Sequence, residues 1–433
     1  MSAGAKFGAQ HITRGIGRLS QHVLTEGRGS YLTTDQGVRL LDMTSGIGVV
    51  NLGHCHPAVT KAAQEQCARL THAQVNIGYS QPQLDLIKEL QTIMPHKSLD
   101  SFFLWNSGSE AVEASVKVAR RSTGRPNIVV AQGSYHGRTA ATAAMTRSKT
   151  VYGQGVGPLM PGVFSMEFPY YSQMFMPYHT PMDKLVQLAL DRVELLLKQE
   201  TAPSDTAAIV LESVLGEGGY VPAPTAYLQG LRDICDAHGI LLVIDEVQAG
   251  FGRTGKFFAI EHSGVRPDLM VFAKGLANGY PLSGLAGRKE IMDAMPPGSM
   301  GGTYAGNAVA CAAAQATIRV MRDEGVLDNV AARHTQLARG LENIRHTPGG
   351  KLIEDVRGHG LMIGVQFNTP KNNPVAGKLT QACLRRNMLL LSTSSFDVVR
   401  WIPPLTVSES ELADALSIFD ASLQEAAAEA GLV

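Results

Sequence analysis

The chain has 433 residues, of which 44% are apolar and 18% charged, and its 38 basic side chains balance 38 acidic ones. That length exceeds a single core, which rarely grows past about 300 residues, and the apolar fraction excludes a disordered chain. The charge balance argues against a nucleic-acid footprint, and no stretch approaches the roughly 20 apolar residues of a membrane helix. The Met1 start carries no charged-then-apolar signal pattern, so a cytoplasmic location is expected. Five scattered cysteines (Cys55, Cys67, Cys235, Cys311 and Cys383) contain no CxxC. They are expected to be small buried hydrophobes rather than a disulfide framework or a metal centre.

Residues 1–60 read as an irregular arm with short strands. Tyr31–Thr34 and Val38–Asp42 flank the turn Asp35-Gln36-Gly37, which predicts a hairpin, and Pro57 opens a helix running to Ala68. From about 80 to 310, helical stretches (Gln83–Ile93, Glu110–Arg121, Ala226–His238) alternate with short apolar runs. Those runs are Ser101–Trp105, Asn127–Ala131, Ala207–Glu212, Ile240–Ile244 and Leu269–Ala273. They lack polar alternation, as strands covered on both faces do, so residues 61–310 predict an α/β unit with a mostly parallel sheet. Residues 165–182, aromatic and rich in Met and Pro, read as a long surface loop. Residues 311–433 predict a smaller α+β unit, joined by the N-terminal segment. Its helices are Val309–Asp323, Leu327–Ile344 and Ser408–Ala428, and its strands Gly360–Phe367 and Val398–Ile402.

Ligands of such sheets bind beyond the carboxyl ends of the strands. Four of those ends carry polar residues. Asn106-Ser107-Gly108-Ser109-Glu110 precedes a helix. Its S-x-x-E spacing is that of a capping box, and its free amides also suit a phosphate. Tyr135-His136-Gly137-Arg138 follows the next run. It reads either as an ordinary loop or as a ring that lies on a flat ligand beside a carboxylate-gripping Arg. Asp245 ends a buried run, where a carboxylate needs a partner: the following turn, or a cationic ring nitrogen. Lys274 ends another run; it either snorkels to water or is a desolvated amine suited to forming an imine. Taken together, a phosphate cup, a stacking aromatic, a carboxylate and a buried lysine are what pyridoxal phosphate needs.

With these residues in place, the chain resembles the class III (omega or ornithine-type) aminotransferases of pyridoxal-phosphate fold type I, from about residue 20 to 425. The matching blocks include Gly53-His54-Cys55-His56-Pro57, Ser107–Ala111, Tyr135–Thr139, Glu212–Gly219, Asp245–Gly255, Lys274-Gly275, Gly302-Thr303-Tyr304 and Arg400–Leu405. The resemblance implies that Lys274 holds the cofactor aldehyde and shuttles the proton. Asp245 would pair with the ring nitrogen, with His136 close by, and Gln248 would bond the ring hydroxyl. Ser107, Gly108 and Ser109 would cradle the phosphate, and Tyr135 would stack on the ring. Thr303 would reach the phosphate of a neighbouring subunit, which implies a homodimer with shared sites, possibly assembled further into a tetramer.

The branch it resembles most acts on 4-aminobutyrate. By that resemblance Arg138 would grip the distal carboxylate, Ile47 would form an apolar wall and Glu212 would border the substrate. Glu217 and Arg400 would act as a switch: paired for an ω-amine donor, parted when Arg400 binds an α-carboxylate. A permanent structural salt bridge is the alternative for that pair. The implied reaction moves an amino group from an ω-amino acid to a 2-oxo acid such as 2-oxoglutarate or pyruvate. Acetylornithine/ornithine-type transfer and 2,2-dialkylglycine-type decarboxylation are the rivals on the same fold. Two positions depart from many relatives: Ser213 replaces Pro and Leu215 replaces Gln. Leu215 is expected to make the pocket wall more apolar.

Overall fold

The computed structural model describes residues 1–393 and 395–433. Its centre is a seven-stranded sheet in the spatial order Ser101–Trp105, Ser283–Gly287, Leu269–Phe272, Leu241–Asp245, Thr206–Glu212, Asn127–Ala131, Val163–Met166. Only Ser283–Gly287 runs against its neighbours. The expected mostly parallel α/β sheet is therefore present, and the five expected strands match to within a residue or two. Every residue of Thr206–Glu212 and Leu241–Asp245 is buried, because helices cover both faces.

Local chemistry fixes the helix limits. Ser107 and Glu110 form a reciprocal capping box on helix Gly108–Thr123, which ends where Gly124 turns left-handed at φ 70°. Helix Thr225–His238 ends the same way at Gly239.

The elements outside the sequence expectation include strands Val163–Met166, Ser283–Gly287 and Ile353–His359, and helices Ala3–His11, Met182–Gln199 and Ala376–Arg385. Ser-Gly-Leu-Ala-Gly looks like a loop, but the absence of side chains is what the sheet requires there. A Cβ on Gly284 would fall 2.4 Å from the Phe272 ring.

The segment 165–182 also departs from expectation. Phe168, Tyr170 and Tyr171 are buried, and only its second half, with Phe175 at 88% exposure, lies on the surface. Tyr170 donates its hydroxyl to Gln366 and accepts from Arg357, so the aromatics anchor this segment to the C-terminal sheet. Cys55 and Cys67 are exposed; only Cys235, Cys311 and Cys383 are buried as expected.

The terminal segments form two more sheets. The expected hairpin pairs Tyr31–Thr34 with Arg39–Asp42, and the C-terminal strand Met388–Leu389 joins its edge in parallel. The other sheet orders Ile353–His359, Met362–Phe367, Val398–Trp401 and Leu391–Ser392. Arg253, fully buried without a carboxylate, ties these parts to the large sheet. It donates to Asn51 Oδ1 at 2.8 Å and to the carbonyl of Leu361 at 3.1 Å. No helix of the described residues is long and apolar enough to cross a membrane.

Candidate active site

A cavity of about 320 Å³ opens at the carboxyl ends of the parallel strands. Its walls include Ser107, Gly108 and Ser109 from one strand end, Tyr135 and His136 from another, and Glu212, Asp245, Gln248 and Lys274 from three more. Register explains the convergence: Asp245 lies opposite Glu212 on one side and Val271 on the other. Lys274 follows two residues after the strand Leu269–Phe272, in left-handed backbone at φ 42°. Strain of this kind in a non-glycine residue persists only where the surroundings enforce it, and it gathers at functional sites.

The floor of the cavity is a chain of buried charges. His136 Nδ1 lies 2.8 Å from Asp245 Oδ2. A carboxylate only accepts, so the proton sits on Nδ1. The other Asp245 oxygen accepts the amide of Val247 at 3.0 Å, so both readings of this residue, turn cap and charge partner, are realised. Burial disfavours the His136 imidazolium, but the hydrogen bond and charge of Asp245, with Glu212 behind, hold its pKa above the usual value. Burial pushes the Lys274 ammonium pKa down, against the pull of Glu217, Asp245 and Glu212. Glu212 is buried and accepts the amides of Tyr135 at 2.8 Å and Gly216 at 2.9 Å. Burial pushes its carboxyl up to about 7. With both oxygens engaged, Glu212 fixes the Tyr135 loop rather than facing a ligand freely.

The rim is built from loops and from the C-terminal sheet. Glu217 lines the cavity, and its Oε1 accepts from Arg400 Nη1 at 2.5 Å. Arg400 sits on strand Val398–Trp401, with Nη2 bonded to the carbonyl of Ser392. Burial pushes the Glu217 carboxyl up, but Arg400, and then Lys149, outweigh this and hold it below the usual range. Arg138 is exposed, 4.8 Å from the centre of the Tyr152 ring, and Tyr152 meets the Tyr135 ring edge-on.

The cavity thus gathers most of the expected residues, but not all. Arg138, Ile47 and Thr303 are exposed and off its walls, and Arg400 reaches it through Glu217. Leu215 is fully buried under Gly133 and Gly218, so the expectation of a more apolar pocket wall is incorrect. Ser213 bonds Glu246 at 2.8 Å, a contact that proline cannot make. Sequence reasoning missed Lys149, Tyr152 and the Gly279–Leu282 wall, which follow no spacing rule and are recognisable only in space.

These residues fit pyridoxal phosphate. Gln248 Oε1 and His136 Nε2 are buried without a partner. The Gly108 and Ser109 amides sit in the first turn of a sixteen-residue helix, where no helix carbonyl reaches them. A Cβ at Gly137 would fall 2.2 Å from Ser109 Oγ, so only glycine lets the Tyr135 loop close over this cup.

The family described as aminotransferase class-III matches residues 16–423. The chain belongs to the class III aminotransferases. It is 39% identical over 422 residues to the 5-aminovalerate aminotransferase DavT of Pseudomonas putida, with 96% of each chain covered. It is 38% identical to the 4-aminobutyrate aminotransferase GabT of Escherichia coli, covering 96% of this chain and 97% of that one. In three dimensions it is similar to the omega transaminase of Pseudomonas jessenii solved with PMP, with a TM-score of 0.93 at 23% identity and complete coverage of both. The aminotransferase has the α/β architecture of pyridoxal-phosphate fold type I and depends on that cofactor, as its family does.

Proposed function

We propose that this aminotransferase takes its amino group from an ω-amino acid of the 4-aminobutyrate type, with four or five carbons. The acceptor is a 2-oxo acid such as 2-oxoglutarate or pyruvate. The observation that carries this reading is the Glu217–Arg400 pair at 2.5 Å on the rim of the Lys274 cavity. Paired, it presents no net charge to a donor's aliphatic chain; parted, it offers Arg400 to an α-carboxylate. Arg138 at the mouth suits the distal carboxylate of the donor, gripped by a bidentate fork. Relatives named for 4-aminobutyrate and 5-aminovalerate support the same donor class.

Pyridoxal phosphate, when bound, supplies an aldehyde that condenses with amines and a ring that accepts the electrons of a carbanion. The chain's own residues do the rest. Lys274, its pKa depressed, is the base that takes the proton from the amine-bearing carbon and passes it to the carbon of the cofactor's aldehyde group. Asp245, braced by His136, would hold positive charge on the ring nitrogen. The Gly108 and Ser109 amides, with Ser107, would hold the phosphate. Tyr135 would cover the ring, and Gln248 would bond its hydroxyl. Glu212 positions Tyr135. Transfer then runs as two half-reactions in ping-pong order. Thr303 is exposed beside Tyr304 at 65% exposure, with Tyr79 at 91% and Ile77 at 86% also open, which suits a homodimer completing each site.

The test is a half-reaction screen that follows the cofactor's absorbance across 4-aminobutyrate, 5-aminovalerate, β-alanine, acetylornithine and simple monoamines. The two ω-amino acids are expected to react fastest. Preference for a monoamine or acetylornithine, or carbon dioxide release from a 2,2-dialkylated amino acid, overturns the reading.

A further inference from the structure

The two oxygens of Glu217 are held by different cations. Oε1 accepts from Arg400, which is buried and fixed on a strand; Oε2 lies 3.5 Å from Lys149 Nζ. Lys149 is of another kind. It sits on the loop before the short turn Thr150–Tyr152, its side chain is 22% exposed, and its ammonium also lies 5.8 Å from the Tyr152 ring centre. Arg138 contacts the same ring. The loop is pinned at its root, where Ser395 donates to the Ser148 carbonyl at 2.6 Å.

A carboxylate as buried as Glu217 is costly to strand. If Arg400 is to be given up to an incoming α-carboxylate, Glu217 needs another cation. Among the described residues, Lys149 is the only other one within ion-pair distance of it. We infer that Lys149 is the holding partner of Glu217: it retains the carboxylate while Arg400 binds the substrate's α-carboxylate, and so sets how readily the enzyme accepts 2-oxo acids and α-amino acids against ω-amino donors. Lys149 is a positioning residue on this account. It acts through Glu217 and does not touch the substrate. At 3.5 Å the contact is loose, and it shortens when Glu217 leaves Arg400. Without Lys149, Glu217 has Arg400 alone, and the closed pair is harder to open.

The inference rests on the proposed Glu217–Arg400 switch, and the experiment separates the two. Both half-reactions are measured in the holoenzyme by single-turnover absorbance for Lys149→Met, Lys149→Arg, Glu217→Gln and the double variant Lys149→Met/Glu217→Gln. In Lys149→Met the ratio of specificity constants, glutamate over 4-aminobutyrate, is expected to fall by about three- to five-fold through the apparent dissociation constant for glutamate, the scale of one partly exposed ion pair. Lys149→Arg restores the ratio. In the Glu217→Gln background, Lys149→Met changes nothing further. An unchanged ratio in Lys149→Met, or a Lys149 effect that persists in the Glu217→Gln background, overturns the inference. If Glu217→Gln itself leaves the ratio of the two half-reactions untouched, the switch fails, and the inference falls with it.

Discussion

The floor and the rim of the cavity are built on opposite principles. Asp245 ends the fully buried strand Leu241–Asp245, Lys274 and His136 follow strands Leu269–Phe272 and Asn127–Ala131, and His136 and Asp245 hold each other. The rim joins Glu217 from a turn, Lys149 and Tyr152 from a loop, and Arg400 from the C-terminal sheet. On the proposed reading the floor fixes charges that must not move during proton transfer, where preorganisation is worth most. On the same reading the rim pairs charges that exchange partners; its carboxylate is shared between two cations. Chemistry is then placed, on this reading, among buried strand ends, and substrate choice where two parts of the chain meet.

Four experiments test this contrast. The floor should be intolerant. Lys274→Ala is expected to cut turnover by at least about 10³-fold. Borohydride reduction should then no longer attach the cofactor to the chain, whereas attachment at another lysine would overturn the assignment. Asp245→Asn keeps the shape of the floor and removes its charge, so kcat should fall by roughly 10²-fold with little change in KM. A loss confined to KM would move Asp245 from floor to rim.

The rim should discriminate rather than abolish. Arg138→Ala is expected to raise the KM for 4-aminobutyrate by about 10- to 100-fold, the scale of a charge-assisted hydrogen-bond pair, and to spare a monoamine. Equal losses with both substrates would refute the carboxylate role.

The smallest effect concerns the junction behind the site. His359, at the end of strand Ile353–His359, stacks on His262 at 4.7 Å. Burial, then His262 and His334, push it down to about 4 from 6.5. The unfolded chain therefore takes up this proton first. Stability is whole above pH 6.5 and falls as pH drops from 6.5 toward 4. His359→Gln should flatten the melting temperature against pH in that window, by at most about one proton's worth of slope. An unaltered slope would show that the junction does not sense this proton.

The two regions were also unequally legible. Asp245 and Lys274 stand at the ends of apolar runs, so strand patterning alone marks their positions, and Ser107–Glu110 announces its helix start. Only the resemblance points to Arg400, and no sequence signal marks Lys149 or Tyr152. Nothing in their neighbours' spacing marks them, and their partners lie far away in sequence. Segment 165–182 departs from its expected surface position for the same reason. Tyr170 and Tyr171 have an aromatic loop's sequence, but a C-terminal sheet that buries them.

The sequence by itself determined the alternation of buried strands and capped helices, and with it the edge on which the chemistry had to lie, because apolar periodicity and helix capping are local. Only the tertiary structure decided which carboxylate faces which cation, that Glu212 is tied to backbone while Glu217 is shared, and that Leu215 is core rather than wall. Those outcomes depend on distances between elements remote in sequence and on how deeply each charge is removed from water, and no local pattern encodes either.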